Sequence, residues 1–499
     1  MALVDIVEVP GISDYVSILP EIILSIFGIV IMLLDPMMDE RSSQRKLGNI
    51  ALVGGVLALA GTVFQSHFLS HAGVTGLTAF SQMVKIDAFS IFFHFVVGAV
   101  VILVVLSSYE YMEVQQIRAG EYYGLILFGA VGMDLMSSAM ELVLIFIALE
   151  TSSIATYILA GFRRRSAISS ESSVKYFLLG SFATAFFLYG VALMFGATGS
   201  TSIAVIADSL GQYAHQPIPL LAYLGIALMF VGLGFKVAAA PFHIWTPDVY
   251  EGAPAPVVGF MSTAPKAAVF AVLIRILFQA NTPDAARIWL IWVAAALSMS
   301  IGNIAALVQD NIKRLLAYSS IAHAGYLLIA FASLPANGIP AAMFYTAAYA
   351  AMNVGAFAVV GHFASAGERR VTLEDYSGLG RRSPVLAAVL TMFLLSLIGI
   401  PITGGFFAKF YVFSAALQGS HPLVGLVIIG VINSAVAAYY YLRVIVMMYM
   451  REPREDAPVA PIPAGLSFAL GLSLAATIYL GVLPNQVLQY AGRAVDLMR

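Results

Sequence analysis

The chain has 499 residues, 60% hydrophobic and only 10% charged, with a formal net charge of −2 and a mean hydropathy of +0.91; soluble domains carry about 25% charged residues. This balance describes an all-α polytopic membrane protein, and no nucleic-acid partner is expected. The absence of cysteine excludes disulfides, Cys-ligated zinc and Cys-ligated iron–sulfur clusters, and no Walker or well-placed dinucleotide motif occurs, so any redox or ATP chemistry belongs to partners.

The amino-terminal segment MALVDIVEVPGISDY is acidic and has no small-residue cleavage site before the first apolar run, so no removable signal peptide is expected. A span needs about 20 apolar residues. On that criterion fourteen helices are predicted, at 17–35, 47–66, 86–107, 122–139, 141–162, 173–196, 220–240, 254–278, 285–308, 315–334, 339–364, 384–417, 422–447 and 464–484. Only a short polar turn near Ser137 to Glu141 separates the fourth from the fifth. The expected division is 1–120 for helices 1 to 3, 121–280 for helices 4 to 8, 281–450 for helices 9 to 13, and 451–499 for helix 14 and its tail.

Basic residues in loops are retained on the cytoplasmic side. Loops after odd-numbered helices hold sixteen of them: Arg41, Arg45, Lys46, Arg118, Arg163 to Arg165, Lys313, Arg314, Arg369, Arg370, Arg381, Arg382, Arg443, Arg451 and Arg454. The opposite side holds five, Lys85, Arg275, Arg287, Arg493 and Arg499. This split predicts both termini on the periplasmic side.

The remaining cations, Lys175, Lys236, Lys266 and Lys409, fall inside apolar segments. A charge near mid-bilayer is unfavourable by at least about 2.5 to 3.5 kcal/mol, so such residues usually line a polar cavity or relay. Lys236 lies in GLGFKVAAAPFHIWTPDVYEGAPAP of the seventh helix, before Pro241, Pro247, Pro254 and Pro256. Lys409 lies in GIPITGGFFAKFYVF of the twelfth, after Pro401, Gly404 and Gly405. Both helices are expected to be broken, as backbone lining a hydrated transport site can be. The two segments are five helices apart, so helices 4 to 8 and 9 to 13 are expected to form inverted five-helix repeats.

Glu150, in MELVLIFIALETSSIATYIL, adds an acid whose expected partner is a lysine. Burial disfavours both charges and proximity favours them, so making or breaking such a pair loads or unloads a proton. The bland alternative is a static ion pair, and for Lys175 it is snorkelling to the interface. His323 is added to the relay because it lies well inside an apolar segment; His243 is expected to titrate or cap, and His362 to lie at an interface. Glu21 and Asp134 are expected to be solvated helix-end acids, and Tyr439 to Tyr441 to form a belt or packing surface.

The run GLGFKVAAAPFHIWTPDVYEGAPAPV, followed by STAPKAAVFAVLIR, resembles the signature of the antiporter-like proton-translocating subunits of respiratory complex I and of the related multisubunit cation/proton antiporters. The likeness extends through the Glu150 segment, SSVKYFLLGSFATAFFLYG, QDNIKRLLAYSSIAHAGY and GIPITGGFFAKFYVF. Lysines in both the eighth and twelfth helices resemble the subunit N branch. Subunit M would carry glutamate in place of Lys409, and subunit L would continue into a long lateral helix. The resemblance implies two half-channels on a central polar axis. Glu150 would tune Lys236, Lys266 would bridge, Lys409 would be the terminal donor, Lys175 would help set the charge of Glu150, and His323 would join the relay. It also implies neighbouring antiporter-like membrane subunits as partners in a bacterial inner membrane, with NADH, FMN, iron–sulfur clusters and quinone bound by other subunits. A free-standing cation/proton antiporter or hydrogenase-linked relative is the alternative.

Overall fold

A computed structural model describes residues 10–38, 43–117, 120–213, 218–279, 284–333, 335–364, 366–418, 422–453 and 459–496. Helices run Leu19–Leu34, Ser43–Ala72, Ala88–Val114, Gly120–Ser138, Leu142–Ala160, Ala167–Thr198, Leu220–Val237, Ala255–Met261 with Ala264–Ile274, Asp284–Leu307, Ile312–Ala332, Pro335–Ala364, Pro384–Ile398 with Gly404–Leu417, Val424–Met450 and Ala464–Val482. Each of the fourteen expected ranges falls on this series. Among the described residues twelve helical spans are long and apolar enough to cross a membrane, by length and composition. Outside those twelve stand Gly120–Ser138, which carries Glu121 and Asp134, and the two shorter pieces of the twelfth range.

The chain is not wholly helical. Gly76–Ala79 and Val84–Asp87 pair as an antiparallel hairpin. The third helix therefore starts at Ala88, where Asp87 accepts from the Ser90 amide at 2.8 Å and its own amide donates to Ser90 Oγ at 3.0 Å, a reciprocal capping arrangement. The fourth and fifth helices are separate, as expected, turning at Ala139–Glu141, where bridges join Val84 to Ala139 and Glu141 to Ser202.

The eighth, tenth and eleventh spans are enclosed almost entirely by other helices. Close backbone approach brings the ninth and tenth together: a Cβ on Gly325 would meet the Met299 amide at 2.7 Å, the small-residue contact that apolar surroundings favour. The enclosed helices therefore face protein, and they carry Lys266 and His323.

Consecutive helices reverse direction, giving the bundle two ends. At the end bearing the loops after odd-numbered helices, Glu368 accepts from Tyr111 Oη (2.8 Å), the Ala255 amide (2.8 Å), Arg163 (2.6 Å) and Lys313 (2.7 Å). Asp248 meets Lys175 at 2.7 Å and Arg314 at 2.8 Å, and Arg314 meets Glu251 at 2.7 Å. Burial pushes both carboxyls up, but Lys175 and Arg314 beside Asp248, and Lys313 and Arg163 beside Glu368, hold them below their ordinary values. Lys313, expected in a loop, is buried in the first turn of a helix. Arg275 of the opposite set is also buried, 3.3 Å from Asp87 and donating to the Ser137 carbonyl at 2.8 Å. Of the loop cations, Arg41, Arg118, Arg454, Arg499 and the side chain of Arg287 lie outside the described residues, as do residues 1–9 of the amino-terminal segment.

Candidate functional site

Lys236 occupies the last turn of Leu220–Val237. That helix stops because Ala238 turns left-handed (φ 61) and its amide bonds back to Phe235, after which Pro241 cannot continue the ladder. The break continues to Thr246, stapled by Ala240 N–H to Ser298 Oγ (2.8 Å) and by Trp245 Nε1 to the Phe235 carbonyl (3.0 Å). The Lys236 ammonium sits in an aromatic box, 3.3 Å from Tyr157 Oη, 4.5 Å from the Tyr157 ring centroid and 5.0 Å from that of Tyr176. Ring faces stabilise a desolvated cation by about 2 kcal/mol.

The twelfth range breaks between Ile398 and Gly404, as expected from Pro401. Gly405 packs so closely on Ser396 that a side chain there would collide with its carbonyl. Lys409, one turn into the second piece, reaches back to the carbonyl ends of the first, donating to Ile398 O at 2.8 Å, Leu397 O at 3.2 Å and Ser434 Oγ at 2.9 Å. Free carbonyls and the negative pole of a helix C-terminus favour a cation there. The two lysines thus lie on opposite sides of their breaks.

The eighth helix is interrupted too, at Ser262–Thr263, a break the sequence reading missed. Thr263 leaves helical geometry (φ −123, ψ −70), and Pro265 starts the next piece with Lys266 in its first turn. Lys266 donates to Ser320 Oγ at 2.6 Å and Ser320 O at 2.9 Å. Tyr349 donates to the same Ser320 Oγ at 2.8 Å. One turn on, His323 Nδ1 lies 2.7 Å from Tyr345 Oη and Nε2 lies 3.4 Å from Tyr441 Oη. Tyr441 contacts Ser319; its neighbour Tyr440 donates to Asn303 Oδ1 at 3.0 Å, and Asn303 Nδ2 donates to Tyr326 Oη at 3.2 Å. The Tyr326 ring closes the row, its centroid 4.7 Å from Lys409 Nζ. A polar sequence of contacts therefore runs from Lys266 through the His323 cluster to Lys409. A cavity of about 10 Å³, near the space one water needs, is lined by Lys266, His323, Tyr345 and Tyr349.

The other expected residues are placed less centrally. Glu150 is half-buried in the middle of Leu142–Ala160 with Oε1 accepting no hydrogen bond. Among the described residues no direct ion pair joins it to a lysine, so the expected pair is open in this structure. Lys175 is not within the row: its side chain is 42% exposed and paired with Glu171 and Asp248, each at 2.7 Å, which matches the snorkelling alternative. His243 enters its turn through its backbone carbonyl, which accepts from Thr246, while Nδ1 is buried without a hydrogen bond. His362 lies at its helix end with Nδ1 2.9 Å from Glu110. Glu21 and Asp134 are corrected outright: they are 3% and 2% exposed, because helix packing covers both ends. Tyr440 and Tyr441 belong to the row, and of that triplet only Tyr439 faces outward. Ser319, Ser320 and Tyr326 were missed, although with His323 they recur at helical spacing and form a legible polar stripe.

Residues 139–437 match the family model described as NADH:quinone oxidoreductase/Mrp antiporter, TM. A relative from Koribacter versatilis, "NADH-quinone oxidoreductase subunit N 2", is 64% identical over 97% of this chain and 98% of its own. The chain belongs to the subunit N family of NADH-quinone oxidoreductases. Structural comparison agrees: a chain of respiratory complex I from Thermus thermophilus with bound aureothin superposes with a TM-score of 0.78 at 36% identity, covering 94% of this chain and 98% of that one. A chain of the Mrp complex from Dietzia sp. DQ12-45-1b gives a TM-score of 0.80 at 20% identity over 95% and 97%. Fold alone does not separate the two classes, whereas sequence identity assigns this chain to the subunit N family.

Proposed function

We propose that this subunit N-family chain moves protons across a bacterial inner membrane through Glu150, Lys236, Lys266, His323 and Lys409, driven by electron transfer from NADH to quinone on neighbouring subunits that hold the FMN and iron–sulfur clusters. The observation that carries the reading is the set of three lysines, all at most 6% exposed, whose ammonium groups meet hydroxyls, carbonyls and ring faces in place of carboxylates. Such neighbours solvate a charged amine without locking it, so its charge answers to small changes nearby. Glu150 acts on Lys236 across a gap that closes when that lysine is loaded. Lys175 holds Asp248 at the turn after the seventh-helix break and lies outside the relay itself. The basic loops face the cytoplasm and both termini face the periplasm. Helices 4 to 8 and 9 to 13 act as the two half-channels.

Proton pumping by the assembled complex tests this. Lys236→Ala and Lys409→Ala are each expected to leave assembly intact and reduce coupled proton movement by about 10²-fold, the usual contribution of a positioned proton donor. Wild-type pumping in both variants would reject the relay. Co-purification with NADH dehydrogenase subunits separates this function from that of a free-standing antiporter.

A further inference from the structure

We propose that Glu21, His94 and Asp134 form a second proton-binding site, in the first, third and fourth helices, apart from the lysine row. The side chains come from the first and third helices and from the fourth, which packs on both, and are 3%, 1% and 2% exposed. His94 Nε2 lies 3.1 Å from the Asp134 carbonyl and 3.8 Å from Glu21 Oε1. With the Nε2 hydrogen given to that carbonyl, the cluster consists of acceptors: both Glu21 oxygens, Asp134 Oδ1 and His94 Nδ1 receive no hydrogen bond among the described residues. An isolated buried carboxylate is strongly unfavourable and takes up a proton instead. Two acids and an imidazole gathered at one buried junction of helices can share that proton and pass it on.

The surrounding charges do not supply the missing donor. Arg275 is turned to Asp87 and the Ser137 carbonyl, Lys85 lies 3.8 Å from Asp87, Gln65 donates to the carbonyls of Val16 and Ser17, and Tyr490 donates to the Ala88 carbonyl. Among the described residues no group of three His, Asp or Glu side chains has a geometry that could hold a metal ion, which favours a proton over a metal cation. Glu21 stands in the first turn of its helix and Asp134 one turn before the end of its own. The nearest aqueous surface is accordingly the hairpin-bearing end.

Glu21, His94 and Asp134 share no residue with the lysine row, and their proton uptake is independent of it. Infrared difference spectroscopy of the intact membrane complex at neutral pH, wild type against Glu21→Gln, is expected to show loss of a carbonyl band of a protonated carboxyl, and that band is expected to move to lower frequency in heavy water. Loss of ionised-carboxylate intensity overturns the proposal, and so does a band that heavy water leaves unmoved. If Glu21→Gln does not assemble, Asp134→Asn decides by the same spectrum: a shifted protonated-carboxyl band supports a shared proton, and an unchanged one refutes it.

Discussion

Lys313 and Lys266 both occupy the first turn of a helix and both are buried, 0% and 3% exposed, yet their ammonium groups meet different chemistry. Lys313 binds Glu368 at 2.7 Å and two backbone carbonyls, within a network in which Arg163 supplies the same carboxylate with a second cation. Lys266 binds one serine. A carboxylate partner fixes the charge of the first; neutral partners leave that of the second adjustable. Burial of a lysine therefore does not by itself mark a moving proton. The chemistry of its nearest acceptor separates the clamp from the proposed relay.

The contrast is most easily broken at the clamp. Glu368→Ala leaves Lys313 and Arg163 without their shared carboxylate and should destabilise the chain by about 3–5 kcal/mol, read as a lowered unfolding midpoint in detergent. Lys266→Met should do the reverse: the midpoint stays near that of the wild type, since an apolar side chain of similar length suits the site, while proton pumping falls by about 10²-fold. A lost midpoint with retained pumping would erase the distinction. Ser320→Ala removes the hydroxyl that serves both Lys266 and Tyr349, and is expected to destabilise by about 1–3 kcal/mol while slowing proton movement more than electron transfer.

Acid should weaken the clamp. Glu368 is held below its ordinary value by Lys313 and Arg163, so its stabilisation is complete above the unfolded carboxylate range, about pH 4, and drains as pH falls through its folded value; Asp248, partly exposed, adds less. The unfolding midpoint should decline over that acid window, with a shallower decline in Glu368→Gln. The smallest effect is expected for Lys175→Ala, whose exposed pairs are screened by solvent. Its midpoint should be indistinguishable from that of the wild type, and a large drop would place it with the buried clamp.

The fold was legible because a bilayer-length apolar run is a strong signal, and Pro241 and Pro401, each beside glycines, marked two breaks, whereas Pro340 is carried inside the continuous helix Pro335–Ala364. The Ser262–Thr263 break carried only Pro265, with no glycine cluster beside it, and a lone proline inside a span is compatible with an unbroken helix, as Pro340 shows. Lys236, Lys266, His323 and Lys409 were legible because a titratable group in an apolar run is rare. Their neighbours were less so: Ser320, Tyr349 and Asn303 are ordinary in membrane helices and gain meaning only when helices distant in sequence meet. Glu21 and Asp134 misled because position near a helix end resembles solvation until neighbouring helices are seen to cover it. Lys175 misled in the opposite sense, since nothing in its apolar segment revealed Asp248 across the turn.

Ser320 Oγ receives hydrogens from Lys266 and Tyr349 at once but owns a single hydrogen of its own. When Lys266 is a neutral amine it can accept that hydrogen, and the hydroxyl can then point the other way. Reversing the polarity of this junction takes the spin of one O–H bond, a motion that rearranges no helix and can act as a turnstile on the timescale of side-chain rotation.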